Sequence, residues 1–520
     1  MLASVGAAQV TPDGARLPAT ISNVEIRREN VFTDAEMSNW LFRGMNAIHI
    51  VTKERVIARE LLLREGGAYD SASAAETERN LRKLGIFREV TIDSARTDSG
   101  LAAIITTRDS WTTQPYLTFK TVGSQVTIGV GATEKNLLGR QISATIRYIN
   151  DPDRSSIGFA AILPKMWKDQ LSIGGGYASL SDGTRARFLA QVPFASLSSK
   201  WSTQADYEFG DRHILRFFDG EAEASDTLRQ LMHRATLQYS WADRATPNGY
   251  VRFGAVAEVR REDYGQLDAT PGRSVFGEVQ VYVEALKSKY SVVREYRNMG
   301  SAEDIDMSPM VRVGLWLAPS AFGYEHTGIG PALTLSRGWD RANGHVTGKI
   351  KASALFSSGG LDSGTVIADF VGTYRPRDGH SVVLGVNVGL DKDPFPGEEF
   401  DLGASFGPRA YPLHSFTGDR MFFTSAEYRV IAVPSLWNLF AVGFAAFADY
   451  GGAWYAGETR RSGTDLGVGL RLGSIRGSSG GKATRIDLAR RFANDALDAS
   501  WVIVVGAGFT LDRPQKVARQ

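Results

Sequence analysis

From Trp111 onward the chain alternates with a period of two, in segments of about ten residues separated by Gly, Asp, Asn or Pro. In Gln141–Ile149, Ile142, Ala144, Ile146 and Tyr148 alternate with Ser143, Thr145 and Arg147. In His345–Ala354, Val346, Ile350, Ala352 and Ala354 oppose Thr347, Lys349, Lys351 and Ser353. In Met421–Val430, Phe422, Thr424, Ala426, Tyr428 and Val430 oppose Phe423, Ser425, Glu427 and Arg429. Successive side chains of a strand point to opposite faces, so each segment offers one apolar and one polar face. Where the apolar face meets lipid, many such strands imply closure, because only a closed sheet pairs all of its own backbone there. The mean hydropathy of −0.17 is far too low for a helical membrane protein. It suits a barrel, in which every second residue faces a polar lumen.

Alternation by itself also fits a soluble protein of several β-sandwiches. Two features weigh against that. Lys and Arg recur on polar faces whose opposite faces are small and apolar, and the chain ends in a strand. In Trp501–Leu511, Trp501, Ile503, Val505, Ala507, Phe509 and Leu511 form one unbroken face, while Gly506, Gly508 and Thr510 lie on the other. The pattern gives about 16 to 19 strands after Trp111. Ile431–Ala448 holds 18 residues without a charge, the length of a short membrane helix. Pro434-Ser435 inside it reads as a turn, so two strands explain it better. Trp167, Trp201, Trp316, Trp454 and Trp501 would serve membrane-interface girdles.

Residues 20–110 follow a different rule. Ile21–Val31 reads as a first strand. Thr52 would cap a helix through Leu63, on which Val56, Ile57, Glu60 and Leu61 fall at helical intervals. Ser73 and Glu76 form a capping-box pattern before a second helix carrying Leu81 and Leu84. Two strands follow, near Glu89–Ser94 and Leu101–Thr107. The order is strand, helix, helix, strand, strand; Asp34–Ile50 fits none of these elements. Met1–Ala8 (MLASVGAA) reads either as the tail of a signal peptide or as a short disordered tail. The expected organisation is a remnant signal or tail at 1–19, an α/β domain at 20–110, a barrel at 111–513 and a C-terminal tail at 514–520.

Several functions lack support. A net charge of +2, with no basic run interleaved with aromatics, gives nucleic acid no handle. The absence of Cys removes disulfides, thiolate metal sites and Cys nucleophiles, and suits a chain that crosses an oxidising periplasm unfolded. The seven His show no metal-ligand spacing. Gly403-Ala404-Ser405-Phe406-Gly407 matches a nucleophile elbow, but that motif leads into a helix, which Pro408 and Pro412 forbid. Gly480-Gly481-Lys482 lacks the upstream Gly and the Ser/Thr of a P-loop. The acidic groups Asp391–Asp401 and Glu303–Asp306 could bind a cation, but read better as solvated outer loops. Neither enzymatic activity nor a cofactor is expected.

Several segments, in order, resemble the outer-membrane insertase superfamily, the BamA/TamA-type bacterial surface antigens. TKERVIARELLLREGGAYD, ERNLRKLGIFREV and TTRDSW, followed by EKNLLGR at Glu134–Arg140, are similar to one POTRA domain running into a first barrel strand. GPRAYPLHSFTGDRMFFTSAEYR, Gly407–Arg429, resembles the family's signature region, whose loop reads Val/Ile-Arg-Gly-Phe/Tyr. Here Pro408-Arg409-Ala410-Tyr411 stands in its place; Arg and the aromatic match, Pro and Ala depart. Gly418-Asp419 and Glu427–Arg429 follow at the family's spacing. Phe447–Gly451 resembles the Phe-x-Asp-x-Gly strand motif, and Arg485–Ala489 the next recurring piece. Gly506, Phe509 and Leu511 match the terminal strand signal, from which the tail Asp512–Gln520 departs.

The resemblance implies a mainly β fold: a 16-stranded antiparallel transmembrane β-barrel behind one N-terminal α/β POTRA domain. The signature loop would lie between strands eleven and twelve and fold back into the lumen. There Arg409 and Tyr411 would meet lumen partners among Glu427, Asp449, Gly451 and Asp487. Strand parity puts Glu427 on the polar face, and a guanidinium in a partly dry lumen needs a bidentate acceptor. A seam between roughly Val126–Ala132 and Val502–Thr510 would offer pairing edges to a client strand. The implied function is assembly, insertion or translocation of proteins in a bacterial outer membrane, with the POTRA domain in the periplasm. The implied partners are unfolded outer-membrane or secreted clients, the lipid bilayer, and periplasmic proteins at the POTRA domain. A dedicated secretion pore of two-partner type and a passive porin-like channel stand as alternatives.

Overall fold

The computed structural model describes residues 20–507 apart from 98–99, 123–124, 167–169, 195, 223–226, 267–273, 295, 297–298, 300–301, 395–396, 405 and 476–482. The N-terminal unit contains β1 (Ile21–Glu29), α1 (Trp40–Ile48), α2 (Glu54–Ala58), α3 (Ser71–Lys83), β2 (Phe87–Thr97) and β3 (Gly100–Asp109). Its sheet has the order β1-β3-β2, with β1 parallel and β2 antiparallel to the central β3. The expected strand, helix, helix, strand, strand order is present, and Asp34–Ile50 supplies the additional helix α1. Ile21, Val56, Ile57, Leu63, Leu81, Ile86 and Ile105 form one apolar core.

The helix starts differ from the expected ones. Thr52 does not cap α2; its backbone N–H and its hydroxyl both donate to Asp109 Oδ2, at 2.7 and 2.9 Å. That contact ties the approach to α2 onto the end of β3, and α2 stops at Ala58, short of Leu63. α3 is capped by Asp70, whose carboxylate accepts from Ala72 N and Ser73 N. Ser73 therefore sits inside the helix. Glu76 is buried and accepts from Leu197 N at 2.8 Å, a contact to the barrel that no local pattern encodes.

Among the described residues, twenty strands close into one barrel, not sixteen. It begins with β4 (Thr113–Val122) and β5 (Gln125–Leu137) and ends with Ser500–Ala507, which pairs with β4. The seam thus involves β4; the expected Val126–Ala132 belongs to the second strand. β4 is hard to see locally because Pro115 interrupts its alternation and supplies no N–H. The loop at 403–419 follows the fifteenth barrel strand, and five strands come after it. Those five match the expectation. The four additional strands all precede the loop and widen the barrel, since diameter grows with strand number.

Parity along the strands holds. Ile146, Phe159, Leu237, Val468 and Ile503 face outward and are more than half exposed, whereas Ser425, Glu427, Arg429 and Asp487 face inward and are buried. An outer surface this apolar fits lipid, and the strands of a closed barrel cross a bilayer with their backbone paired. Trp201 and Trp501 lie on that outer face, but Trp316 shares the inward parity of Arg312 and Gly314; Trp167 lies outside the described residues. The uncharged stretch at 431–448 is indeed two strands. The turn falls at Trp437-Asn438, both at positive φ, and not at Pro434-Ser435.

Candidate functional site

The lumen is occupied from both ends. From the end where β4 begins, the hairpin Tyr290–Arg294 and Ala302–Asp306 folds inward. Met299 packs there against Ala441, and Tyr296 stands edge-on to His345 at 5.0 Å. The expected outer acidic loop around Glu303 is therefore part of this inner hairpin, and Glu303 is buried. From the opposite end the segment 397–419 dips in. Its acidic residues also turn inward, with Glu399 3.4 Å from Arg216 and Glu398 3.7 Å from Arg260.

The tip of the second segment carries Arg409, which is fully buried. Its guanidinium forks onto Asp449, Nε to Oδ2 at 2.6 Å and Nη2 to Oδ1 at 3.1 Å. Nη1 reaches Glu427 at 3.3 Å and Asp487 at 3.2 Å. Its plane lies over the Phe447 ring, 3.5 Å from the centroid. Ser425 holds the same Asp449 carboxylate at 2.6 Å. Asp449, Glu427 and Asp487 thus all lie within hydrogen-bond distance of Arg409. The fork matters because two parallel N–H donors fix both distance and plane, which an ammonium cannot do.

Tyr411 is buried beside Arg409. Its hydroxyl donates to Phe492 O at 2.8 Å and accepts from Thr464 N at 3.1 Å. Its ring lies where a Cβ on Gly463 would stand, so that glycine makes the pocket. Gly451 also faces inward, and a Cβ there would meet Phe423 Cδ2 at 2.9 Å. Gly506 is buried on the last strand opposite Arg485. Phe509 and Leu511 lie outside the described residues, as does Ser405 of the rejected elbow.

Sequence reasoning missed half of the charge cluster. Arg471 donates to Glu427 at 2.9 Å and to Asp487 at 2.5 Å. Arg429 donates to Glu427 at 2.7 Å and to Tyr296 O at 2.8 Å, which joins the inner hairpin to the cluster. Arg485 reaches Asp487 at 3.3 Å, and Ala410 N donates to Asp465 at 2.9 Å. Four guanidiniums, of Arg409, Arg429, Arg471 and Arg485, face four carboxylates, of Glu427, Asp449, Asp465 and Asp487. The signal was present in the alternation. In Gly463–Ser474 the inward positions read Gly, Asp, Gly, Gly, Arg, Gly. Gly469 leaves the space that the Arg471–Asp487 pair fills.

The loop is held at a second point. His414 Nδ1 lies 2.5 Å from Asp401 and Nε2 lies 2.7 Å from Asp153, in the turn between the strands β6 (Ile142–Asn150) and β7 (Ser155–Leu163). The ring stacks on Phe217 at 3.6 Å. The two carboxylates outweigh burial and raise the imidazole to about 10. Leu413 N donates to Gln125 at 2.8 Å, while Ala404, Ala410 and Leu413 pack on Val502 and Val504 of the last strand. The loop therefore touches the last strand on one side of the seam and β5, the neighbour of β4, on the other.

No family profile matches the sequence, and no curated protein is significantly similar to it. Among solved structures, BamA from Haemophilus ducreyi lacking POTRA domains 1–3 is 13% identical, over 94% of this chain and 84% of that one, with a TM-score of 0.42. CdiB from Acinetobacter baumannii is 12% identical, over 94% and 74%, with a TM-score of 0.47. The FrpB iron transporter from Neisseria meningitidis (F3-3 variant) is 9% identical, over 82% and 87%, with a TM-score of 0.43. At these TM-scores the likenesses carry no weight about activity.

Proposed function

We propose that this chain inserts or translocates other proteins at a bacterial outer membrane. In this reading the N-terminal unit is a periplasmic POTRA domain that receives clients or partner proteins along its open strand edges. The seam between β4 and Ser500–Ala507 is where a client strand pairs its backbone while entering lipid. Such work needs no bond chemistry; it needs a barrel whose interior is braced while its seam can part. The observation that carries the reading is the inward loop, with Arg409 buried among Asp449, Glu427 and Asp487 and its neighbours resting on both sides of the seam. The four strands beyond the resemblance's sixteen precede the loop, whereas its acceptors Glu427, Asp449 and Asp487 and the last strand all lie among the five strands that follow it.

Depletion of the protein followed by outer-membrane proteomics tests this. Broad loss of barrel proteins is the expected result. Loss of one secreted protein alone identifies a dedicated secretion pore instead, and altered solute uptake with an intact outer-membrane proteome overturns the reading.

A further inference from the structure

The helix α1 carries an apolar face that is exposed among the described residues. Its inner face packs Phe42 and Met45 into a small cluster with Val31, Phe32, Trp111 and Leu439. Phe42 stacks on Phe32 at 4.3 Å, and the Asn46 side chain bonds the Phe32 backbone in both directions, at 2.8 and 3.1 Å. The other face shows Trp40 at 76%, Leu41 at 43% and Ile48 at 73% exposure, and Ile50 follows at 50%. Trp40, Gly44 and Ile48 fall on one stripe at helical spacing, and a Cβ on Gly44 would meet no described residue beyond its own helix within 4 Å. Single exposed apolar residues are ordinary; a contiguous stripe marks a contact surface.

The position of α1 says what meets that surface. Trp111 lies two residues before the start of β4, a seam strand, and Leu439 lies in the turn between Arg420–Leu436 and Phe440–Trp454. The helix is thereby moored to the barrel rim. The rim turns beside it are apolar and exposed as well. Trp437 adjoins Leu439, and Leu138 lies in the β5–β6 turn, whose Gly139 O accepts from Lys53 N at 2.9 Å, just past Ile50. Leu137 pairs with Ile142, which shares the outward parity of Ile146, so the lipid-facing belt of the barrel continues onto this rim and reaches α1. Arg43, Lys53 and Arg140 are exposed around it, where anionic headgroups would lie.

We propose that α1 is an interfacial anchor, whose Trp40, Leu41 and Ile48 face lies in the leaflet on the N-terminal unit's side and is covered by lipid. Continuity with the barrel's own lipid surface selects lipid over a protein partner. The anchor fixes the unit over the rim next to the seam, whatever the barrel carries.

The chain has no Cys, so one introduced thiol takes one label. Ile48→Cys, with Leu41→Cys as a second position on the face and Arg96→Cys on exposed β2 as reference, carries an NBD fluorophore in the full chain. Each is reconstituted in phosphatidylethanolamine/phosphatidylglycerol vesicles, and folding is checked by heat-modifiability. An interfacial helix sits about 5–10 Å into the headgroup/acyl boundary, so a nitroxide high on the acyl chain should quench labels 41 and 48 more than one near the chain end. The reference label should stay red-shifted and unquenched. Red-shifted, unquenched labels at 41 and 48 overturn the proposal. Blue-shifted labels that lipid nitroxides do not quench overturn it too, and show that protein covers the face.

Discussion

The N-terminal unit and the barrel have cores of opposite chemistry. In the unit, Ile57, Leu81, Ile86 and Ile105 are fully buried in one apolar cluster. In the barrel, Arg409 and Arg471 are among the largest fully buried side chains, while Ile146, Phe159, Leu237, Val468 and Ile503 face out. One rule makes both, because apolar surface goes where water is absent. For the unit that place is inside. For the barrel it is chiefly outside, which leaves room inside for a buried charge cluster beside the apolar one of Phe400, Leu402, Phe416 and Phe423. An apolar core tolerates the loss of a side chain as a cavity. A core of four guanidiniums and four carboxylates has no such tolerance, because removing one charge leaves its partners buried and uncompensated.

The largest effect should come from Arg409→Ala. It strands Asp449 and leaves Glu427 and Asp487 short of a donor, which should cost about 3–5 kcal/mol. Heat-modifiability should shift to lower temperature, and Arg409→Lys should restore only part of it, since Lys cannot fork. An unchanged midpoint in Arg409→Ala would remove the contrast between the two cores. Leu81→Ala should cost roughly 3 kcal/mol, confined to the unit. Limited proteolysis should then cut residues 20–110 sooner while the barrel midpoint stays put. Coupled loss of both would show that the cores are not independent.

A smaller effect is expected at the loop's second hold. His414→Ala should cost about 1.5–3 kcal/mol of local stability and expose 403–419 to protease. Because Asp401 and Asp153 raise His414 to about 10, its contribution is complete below the usual imidazole range and is lost as pH climbs through 10. The variant should lack that alkaline step. The smallest effect concerns Asp109, which burial raises to about 6 despite its bonds from Thr52. The folded unit therefore holds a proton that the unfolded chain releases near its ordinary value of 3.8, and stability falls as pH rises between the two. Proteolysis of the unit in the intact chain should show this slope, and Asp109→Asn should flatten it.

Much of the molecule was legible because strand alternation is local. The inward parity of Ser425, Glu427 and Arg429, and the exposure of Ile146 and Ile503, follow from a period that a few residues suffice to display. The contact of Arg409 with Asp449, Glu427 and Asp487 was reachable from the resemblance. Arg471 and Arg485 could have been read from their parity, but not their partners. Which inward groups meet depends on the register between strands hundreds of atoms apart and on how deep the loop reaches.

By itself, then, the sequence determined an alternating chain behind a small α/β unit, and the faces its side chains take. The tertiary structure alone decided that twenty strands, among the described residues, close the ring, that β4 forms its seam, and that α1 meets its rim. Alternation is a property of each strand, whereas closure, register and depth are properties of the whole sheet, and no short stretch of residues carries them.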